Sequence, residues 1–301
     1  MPITPDDIRE ILFALNQTGQ GIPLTIQSTA ATEPTQFWLT FVLAVVSSAF
    51  MIIWLGGLYL QPALAMLWAR FSLFQFKRAM GGRHFILIKH TRQGMFDASM
   101  IDSSTLHKVE AAINSFKGEP FDLILHTPGG VIFYTQMLAK IIKESKNPVR
   151  CFVPYYAMSG GTMLALSCKE IYMGDFACLG PVDPQIGSLF GYGSAASWNE
   201  VLRRKGRKAG DSSIQFAFMG KQYTRTLRQN LQYALSDKIT DPEMMDQALD
   251  YLTSGTVEHG YQISPLMLAN FGIHINQIPA DMQKHLSNVI TRDFIEGVIW
   301  G

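Results

Sequence analysis

The sequence predicts an α/β fold with a mostly parallel sheet and crossover helices, preceded by one N-terminal transmembrane helix. Three observations predict it. Residues 37–60 form an uncharged apolar run, β-like runs alternate with amphipathic helices from residue 83 onward, and glycine pairs follow two of the predicted strands. With 301 residues and a hydrophobic content of 48%, the chain is long enough to bury a full core.

The apolar run reads "FWLTFVLAVVSSAFMIIWLGGLYL" and contains no charged residue. A helix of this length, rising 1.5 Å per residue, crosses a hydrocarbon core of about 30 Å. Trp38, Trp54 and Tyr59 lie where interfacial anchors are expected. The distance of the run from residue 1 and the absence of a basic region before it disfavour a cleaved signal peptide. A buried helix of a soluble core is the alternative interpretation.

The regions that flank the run differ in charge. Residues 1–36, an N-terminal extramembrane segment, carry four acidic residues and only one basic residue, Arg9. Residues 61–82 carry Arg70, Lys77 and Arg78 and predict a juxtamembrane helix that lies near the membrane surface or packs on its neighbours. The positive-inside tendency therefore predicts a single-pass protein of the inner (cytoplasmic) membrane, with residues 61–301 in the cytoplasm.

Charge and cysteine content disfavour several function classes. The net charge of +1 gives no electrostatic footprint for nucleic acid. The three cysteines, Cys151, Cys168 and Cys178, form no CxxC pair and have no histidine at ligand spacing. We therefore expect buried free thiols rather than a disulfide framework or a zinc site.

The second part of the chain alternates strands and helices. Strands are predicted at 84–90, 121–128, 149–157 and 170–174, and helices at 103–116 with a serine cap, at 131–145 and from residue 159. A loop rich in Gly and Pro follows at 177–187. Parallel crossovers place the site at the carboxyl ends of the strands.

Both glycine pairs, "PGG" at 128–130 and "SGG" at 159–161, lie where a predicted strand gives way to a helix. Neither has the GxxxxGK[ST] or GxGxxG spacing that a phosphate site requires. Two backbone amides from two loops, with a serine on one of them, are the groups needed to stabilise a developing oxyanion.

The segments "HTPGG", "YYAMSGGTMLAL" and "LGPVDPQIG" occur in an order and spacing that resemble the Clp-fold serine peptidases. The resemblance is strongest to the membrane-associated serine dehydrogenase proteinase family, which is related to signal peptide peptidase A and to the Clp proteolytic subunit. It covers roughly residues 83–280. It implies a Clp/crotonase-like fold over a domain at 83–301 and a serine endopeptidase that needs no cofactor and no metal.

By this resemblance Ser159 is the nucleophile, and the amides of Gly129 and Gly160 form the oxyanion hole. An ordinary helix-capping serine and ordinary turn glycines are the alternatives.

Two general bases stay open. Lys221 lies in "FAFMGKQYTRTLRQNL", interpreted as a glycine followed by an amphipathic helix, and it matches the glycine-lysine context of the peptidase A branch. A second alignment puts Arg225 at that position, and arginine cannot act as a base near neutral pH. The other candidate is His259, near the position of the Clp triad aspartate, with Asp183 near that of the triad histidine. A rearranged set of Ser159, His259 and Asp183 has the required chemical types.

Two other functions stay open beside hydrolysis of membrane-derived or unfolded peptides. One is a catalytically inert oligomeric membrane scaffold of the same fold, and the other is a crotonase-type acyl-CoA enzyme. The resemblance also implies a homo-oligomer, for which the apolar segment 62–76 offers a packing surface, and a stomatin-like membrane partner. Membrane lipid is expected around the apolar run.

Overall fold

The computed structural model describes residues 34–91, 99–188, 191–292 and 295–301, together with Glu10 and Phe13. The chain divides into two units, with the boundary between Gln61 and Pro62. The predicted extramembrane segment 1–36 lies almost entirely outside the described residues.

The apolar run lies in one long helix, α1, which spans Pro34–Ala79. Every side chain from residue 36 to residue 55 is exposed, so the described residues form no core around this part of the helix. Its most apolar stretch has a mean hydropathy of 2.3, and Gln36–Ala79 is long and apolar enough to cross a membrane. A buried core helix, the alternative drawn from the sequence, does not describe this segment.

The second unit begins within the same helix. The sequence places a boundary between a spanning helix and a juxtamembrane helix at residue 61, but α1 continues without a break and contains Pro62. Ala69, Leu73 and Phe76, spaced at helical intervals, are buried in a hydrophobic cluster that includes Phe85 and Phe152. Residues 69–76 therefore pack on the rest of the second unit.

The remaining elements begin at residue 84. The strands are β1 His84–Lys89, β2 Phe121–His126, β3 Arg150–Val153, β4 Tyr156–Ala157, β5 Glu170–Met173, β6 Cys178–Leu179, β7 Gln185–Ser188, β8 Gly191–Ser194, β9 Ile275–Gln277 and β10 Gly297–Trp300. The helices are α2 Ser103–Ser115, α3 Ile132–Lys143, α4 Gly160–Ser167, α5 Ala195–Lys205, α6 Asp211–Leu235, α7 Pro242–Thr253, α8 Pro265–Ala269 and α9 Ala280–Ile290.

Six strands form the main sheet in the order β10-β1-β2-β3-β5-β9. All neighbouring pairs are parallel except β10 with β1, which is antiparallel. This confirms the predicted α/β fold with a parallel-dominated sheet. All six residues of β2 are buried, because hydrophobic clusters cover both faces of the sheet.

Two local predictions were wrong. The predicted strand 149–157 is two strands, since Pro154 interrupts it and β4 leaves the main sheet to pair with β6. The cap of α2 is Asp102 rather than a serine. Its Oδ1 accepts the Thr105 amide at 2.9 Å, and the Thr105 hydroxyl accepts the Asp102 amide at 3.4 Å in a capping box.

Gly220 lies inside a helix rather than before one. The sequence interpretation began an amphipathic helix after this glycine, but α6 starts nine residues earlier, at Asp211. A Cβ placed on Gly220 would lie 2.9 Å from the Ala195 Cβ. The glycine therefore allows α5 and α6 to approach closely, and Lys221 falls in mid-helix with an exposed side chain.

We expect Gly220→Ala to lower the stability of the folded chain. In an exposed helix the same change stabilises by about 1 kcal/mol, but here the new methyl group must push α5 and α6 apart, at a cost of about 1–3 kcal/mol. The measurement is the thermal midpoint of the full chain in detergent. Gln222→Ala, at an exposed position of the same helix, is the matched control. A midpoint that rises in Gly220→Ala would contradict the close approach.

Candidate active site

The two glycine loops lie side by side at the carboxyl ends of β2 and β4. The Thr127 amide donates to the Tyr156 carbonyl at 3.3 Å, and the Met158 amide donates to the Thr127 carbonyl at 2.9 Å. A Cβ on Gly161 would lie 2.8 Å from the Thr127 Cγ2. The glycine is therefore needed for the second loop to approach the first.

Ser159 stands at the start of α4 in a strained conformation. Its backbone has φ 50° and ψ −115°, a rare combination for a residue other than glycine, and its side chain makes no capping hydrogen bond. The helix-capping interpretation therefore lacks the contact that would support it. A strained turn between a strand and a helix also presents the serine of hydrolase nucleophile elbows.

The two glycine pairs meet at Gly160. This residue is the first of α4, so its amide has no partner within the helix. A Cβ on Gly160 would lie 2.7 Å from the Thr135 Oγ1 and 3.4 Å from the Gly130 nitrogen. A larger residue at this point would require the Thr135 side chain to shift.

The Gly129 amide already has a hydrogen-bond partner within its own loop. It donates to the Thr127 Oγ1 at 3.2 Å, while the Gly129 carbonyl accepts the Ile101 amide at 2.8 Å. In a trans peptide the amide that follows a carbonyl points to the opposite side. The Gly130 amide therefore faces away from Ile101, on the side of Gly160, and has no acceptor among the described residues.

This geometry distinguishes two neighbouring amides that sequence reasoning did not separate. Gly129 was the predicted oxyanion donor, but its amide is already hydrogen-bonded. Gly130 was missed. The sequence shows two adjacent glycines in "PGG", but it does not show that Thr127 holds the Gly129 amide and that Ile101 holds the Gly129 carbonyl.

Asp183 and His259 are joined by a hydrogen bond although they lie 76 residues apart. His259 Nδ1 and Asp183 Oδ1 are 2.7 Å apart. The Asp183 side chain is only 2% exposed, and its Oδ2 accepts the Gln185 side-chain amide at 2.7 Å. The buried carboxylate therefore fixes the imidazole ring through Nδ1 and leaves Nε2 out of this contact.

Backbone pairing brings the two residues together. Leu179 and Ile263 exchange both amide-to-carbonyl hydrogen bonds, at 3.0 and 2.8 Å. The Val182 amide also donates to the Leu252 carbonyl at 2.7 Å. The segment that carries His259 is thus pinned to the loop that carries Asp183.

One cavity of about 860 Å³ is lined by Ser159, Asp183, His259 and both glycine loops. Much of its wall is apolar, formed by side chains that include Met100, Val131, Ile132, Phe133, Met163 and Leu227. No hydrogen bond joins Ser159 to His259 among the described residues. The arrangement holds a hydroxyl, an oriented imidazole and two outward amides around an apolar space.

Lys221 is not among the residues that line this cavity. Tyr223, Thr226 and Leu227 of the same helix do line it, whereas Lys221 and Arg225 have exposed side chains. Lys205 and Lys208 are also exposed, at the turn between α5 and α6. Within one chain, the cavity therefore holds His259 as its candidate base.

Residues 94–289 match the family model of the ClpP-like SDH-type serine proteinases. The chain belongs to this family. An uncharacterized protein of Methanocaldococcus jannaschii, MJ1495, is 38% identical over 157 residues, which are 52% of each chain. A second one from the same organism, MJ0137, is 32% identical over 188 residues, which are 61% of this chain and 64% of the relative. The chain thus covers about half to two thirds of the length of these relatives.

Solved structures of low sequence identity are also similar to this family member. A mutant of a membrane-bound stomatin-specific protease has 17% identity and a TM-score of 0.43, with 63% of this chain and 79% of that chain covered. ClpP1 from Listeria monocytogenes has 12% identity and a TM-score of 0.40, with 66% and 94% covered.

His126, which directly precedes the first glycine loop, is buried and resists protonation. Burial, followed by the nearby positive charge of Lys89, lowers the pKa of His126 to about 4, and Glu296 opposes the shift. Its ring contacts Tyr156, with centroids 4.2 Å apart. The neutral form is therefore the one compatible with the folded strand end.

We expect the free energy of unfolding to fall as the pH drops from about 6.5 to 4, because the unfolded chain binds a proton that folded His126 does not. The shift of the His126 pKa to about 4 corresponds to roughly 3 kcal/mol. His126→Phe keeps a ring beside Tyr156 and should remove most of this loss. Chemical unfolding of both proteins at pH 7 and pH 4 measures it, and equal losses in the two proteins would contradict the assignment.

Proposed function

We propose that this chain is a membrane-anchored serine endopeptidase with Ser159 as nucleophile, His259 as general base and Asp183 as the residue that orients the base. Membership of the ClpP-like SDH-type serine proteinase family supports the hydrolase chemistry. The observation that carries the residue assignment is the 2.7 Å hydrogen bond between His259 and buried Asp183 at the cavity that contains Ser159.

In the proposed reaction, Ser159 and His259 act both in forming the acyl-enzyme and in its hydrolysis. His259 Nε2 takes the proton of the Ser159 hydroxyl as Oγ attacks the peptide carbonyl, and it then protonates the leaving amine. Water then attacks the acyl-enzyme as His259 accepts its proton, and His259 returns this proton to the departing Ser159 Oγ. Ser159 and His259 share no hydrogen bond in this structure, and catalytic contacts of this kind often tighten only when substrate is bound.

The oxyanion of this reaction would be bound by the amides of Gly130 and Gly160. Gly160 opens α4, so the positive end of the helix dipole lies behind its amide. Gly130 takes the place predicted for Gly129, since the Gly129 amide donates to Thr127 whereas the Gly130 amide has no acceptor in the part of the chain that the structure describes. Each donor of this type contributes about 10²–10³-fold to turnover.

Lys221 is the less supported base. For it to act on Ser159 of the same chain, α6 would have to rotate its exposed face toward the cavity, and the contact of Gly220 with Ala195 opposes that rotation. His259 needs no such rearrangement.

The apolar wall and the long apolar helix suggest the substrate and its setting. An apolar cavity favours apolar side chains, as in membrane-derived or unfolded peptides. Gln36–Ala79 would anchor the chain in a bilayer, with the domain on the cytoplasmic side of the inner membrane. We include a homo-oligomer and a stomatin-like membrane partner in the proposal on the family resemblance.

We expect Ser159→Ala to abolish peptide cleavage and fluorophosphonate labelling in a chain that still folds, because the variant lacks the hydroxyl proposed to attack the peptide carbonyl. His259→Ala should lower kcat by about 10²–10⁴-fold. Lys221→Met should retain most activity. The measurements are steady-state cleavage of an apolar peptide and the rate of labelling, with the full chain in detergent.

The matched pair His259→Ala and Lys221→Met decides between the bases. If Lys221→Met is inactive and His259→Ala is active, the assignment of His259 as general base is contradicted and the peptidase A analogy is favoured. A folded wild type that neither cleaves nor labels would favour the inert scaffold. Binding of acyl-CoA by such a protein would favour the crotonase-type enzyme.

The topology is tested separately. The apolar run is acidic on its N-terminal side and basic on its C-terminal side. A reporter fused after Gly301 should therefore stay in the cytoplasm, protected from periplasmic protease. A tag before Met1 should be cleaved in the same cells. The reverse pattern of protection would contradict the proposed orientation.

A further inference from the structure

The first glycine loop is connected to a buried histidine outside the cavity. His90 Nδ1 and the Thr127 Oγ1 are 3.1 Å apart, and the same Oγ1 accepts the Gly129 amide at 3.2 Å. Thr127 is 0% exposed and His90 is 3% exposed. Neither residue lines the cavity that contains Ser159, so neither can touch a substrate there.

The direction of each hydrogen bond follows from the donors available. A threonine hydroxyl has one proton to donate and two lone pairs. The Gly129 amide can only donate, so the Thr127 oxygen accepts there. The hydroxyl proton then has two acceptors in reach, His90 Nδ1 at 3.1 Å and the Gly129 carbonyl at 3.4 Å. The shorter distance favours His90 as the acceptor.

The protonation state of His90 agrees with this direction. Burial is the largest influence and lowers the pKa of His90, assisted by Lys108 and opposed by Glu296 and Asp102. A neutral ring with its proton on Nε2 leaves Nδ1 free to accept. Gly129, Thr127 and His90 then form one chain in which each hydrogen bond strengthens the next.

We propose that Thr127 and His90 are positioning residues for the oxyanion hole: together they hold the Gly129 peptide so that the Gly130 amide stays aimed toward Gly160. The proposal rests on the proposed function of the site. Two fixed points define the loop, since Thr127 holds the amide of Gly129 and Ile101 holds its carbonyl.

The glycine conformation explains why the loop needs both fixed points. Gly129 has φ +109°, a region that glycine enters without strain and leaves as easily. Without the hydrogen bond to Thr127, the peptide before Gly129 can rotate, and the next amide turns with it. A donor contributes fully only when it is held within about 0.5 Å of its productive position. The expected defect is therefore in kcat rather than in KM.

The test compares Thr127→Val with Thr127→Ser in the full chain. Valine keeps the shape and removes the hydroxyl, whereas serine keeps the hydroxyl. Thr127→Val should lower kcat by about 10–100-fold, a part of the effect of losing one oxyanion donor, with KM within about twofold. Thr127→Ser should retain most of the wild-type kcat. Ser287→Ala, which removes a hydrogen-bonded hydroxyl on α9 outside the cavity lining, should leave kcat unchanged.

A second pair keeps the proposal testable if Thr127→Val does not fold. His90→Leu should lower kcat about tenfold, which is less than the decrease caused by losing one oxyanion-hole donor. His90→Asn, whose side-chain oxygen can accept near the position of Nδ1, should recover part of it. Combining His90→Leu with Thr127→Val should give no further loss than Thr127→Val alone, since the two act in one chain.

The outcomes separate this inference from the function on which it rests. A wild type that cleaves and labels, together with an equally active Thr127→Val, overturns the positioning role alone. Thr127→Ser as impaired as Thr127→Val, or additive losses in the double variant, also overturns it. A folded wild type with no activity overturns the proposed function and this inference together.

Discussion

The site depends on the backbone pairing that holds the ends of β2 and β4 together. Through the hydrogen bonds of Thr127 with Tyr156 and Met158, two loops that are some thirty residues apart in sequence become neighbours. The strained turn at Ser159, the first amide of α4 and the turn at Gly129 are all placed by this pairing. Only glycine at residue 161 permits it, since a Cβ there would strike Thr127. The glycine pairs are thus required first by chain packing, and the outward amides follow from it.

A second backbone pairing would supply the rest of the proposed machinery. The pairing of Leu179 with Ile263 carries Asp183 and His259 to the same wall of the cavity. The family resemblance matches these positions to the histidine and the aspartate of the Clp triad in exchanged order. A hydrogen bond between these two positions is compatible with either arrangement, because in both of them the carboxylate orients the imidazole. In the proposal the exchange leaves the imidazole next to the serine, with the carboxylate behind it.

Much of the fold could be predicted because its signals are local. The uncharged run, the alternation of strands and helices and the position of the glycine pairs each depend on a few neighbouring residues. The break at Pro154 was also visible in the sequence, but the apolar residues around it outweighed it. The cap of α2 was missed because Asp102 and the two serines after it are all good caps, and only the observed hydrogen bonds distinguish them.

The details of the site depend on contacts between distant residues, which the sequence does not reveal. Gly220 was interpreted as a residue that precedes a helix, whereas it lies inside α6 and leaves room for Ala195 of another helix. Lys221, proposed from its glycine-lysine context, has an exposed side chain on this helix. The hydrogen bonds that hold the Gly129 amide and carbonyl come from Thr127 and Ile101, and the glycine pair alone does not reveal them. The sequence allowed Asp183 and His259 to be proposed as a pair because of their chemical types, but it could not show that they are in contact.

The central claim is that Ser159, His259 and two loop amides act on one carbonyl group. The most direct measurement is an experimental structure of the full chain with a peptide boronate bound to Ser159, which mimics the tetrahedral intermediate. We predict that His259 Nε2 lies within about 3.2 Å of a boronate oxygen or the Ser159 Oγ. A second boronate oxygen should lie about 2.7–3.1 Å from the nitrogens of both Gly130 and Gly160. A boronate that instead contacts a lysine ammonium, with His259 turned away, would contradict the account.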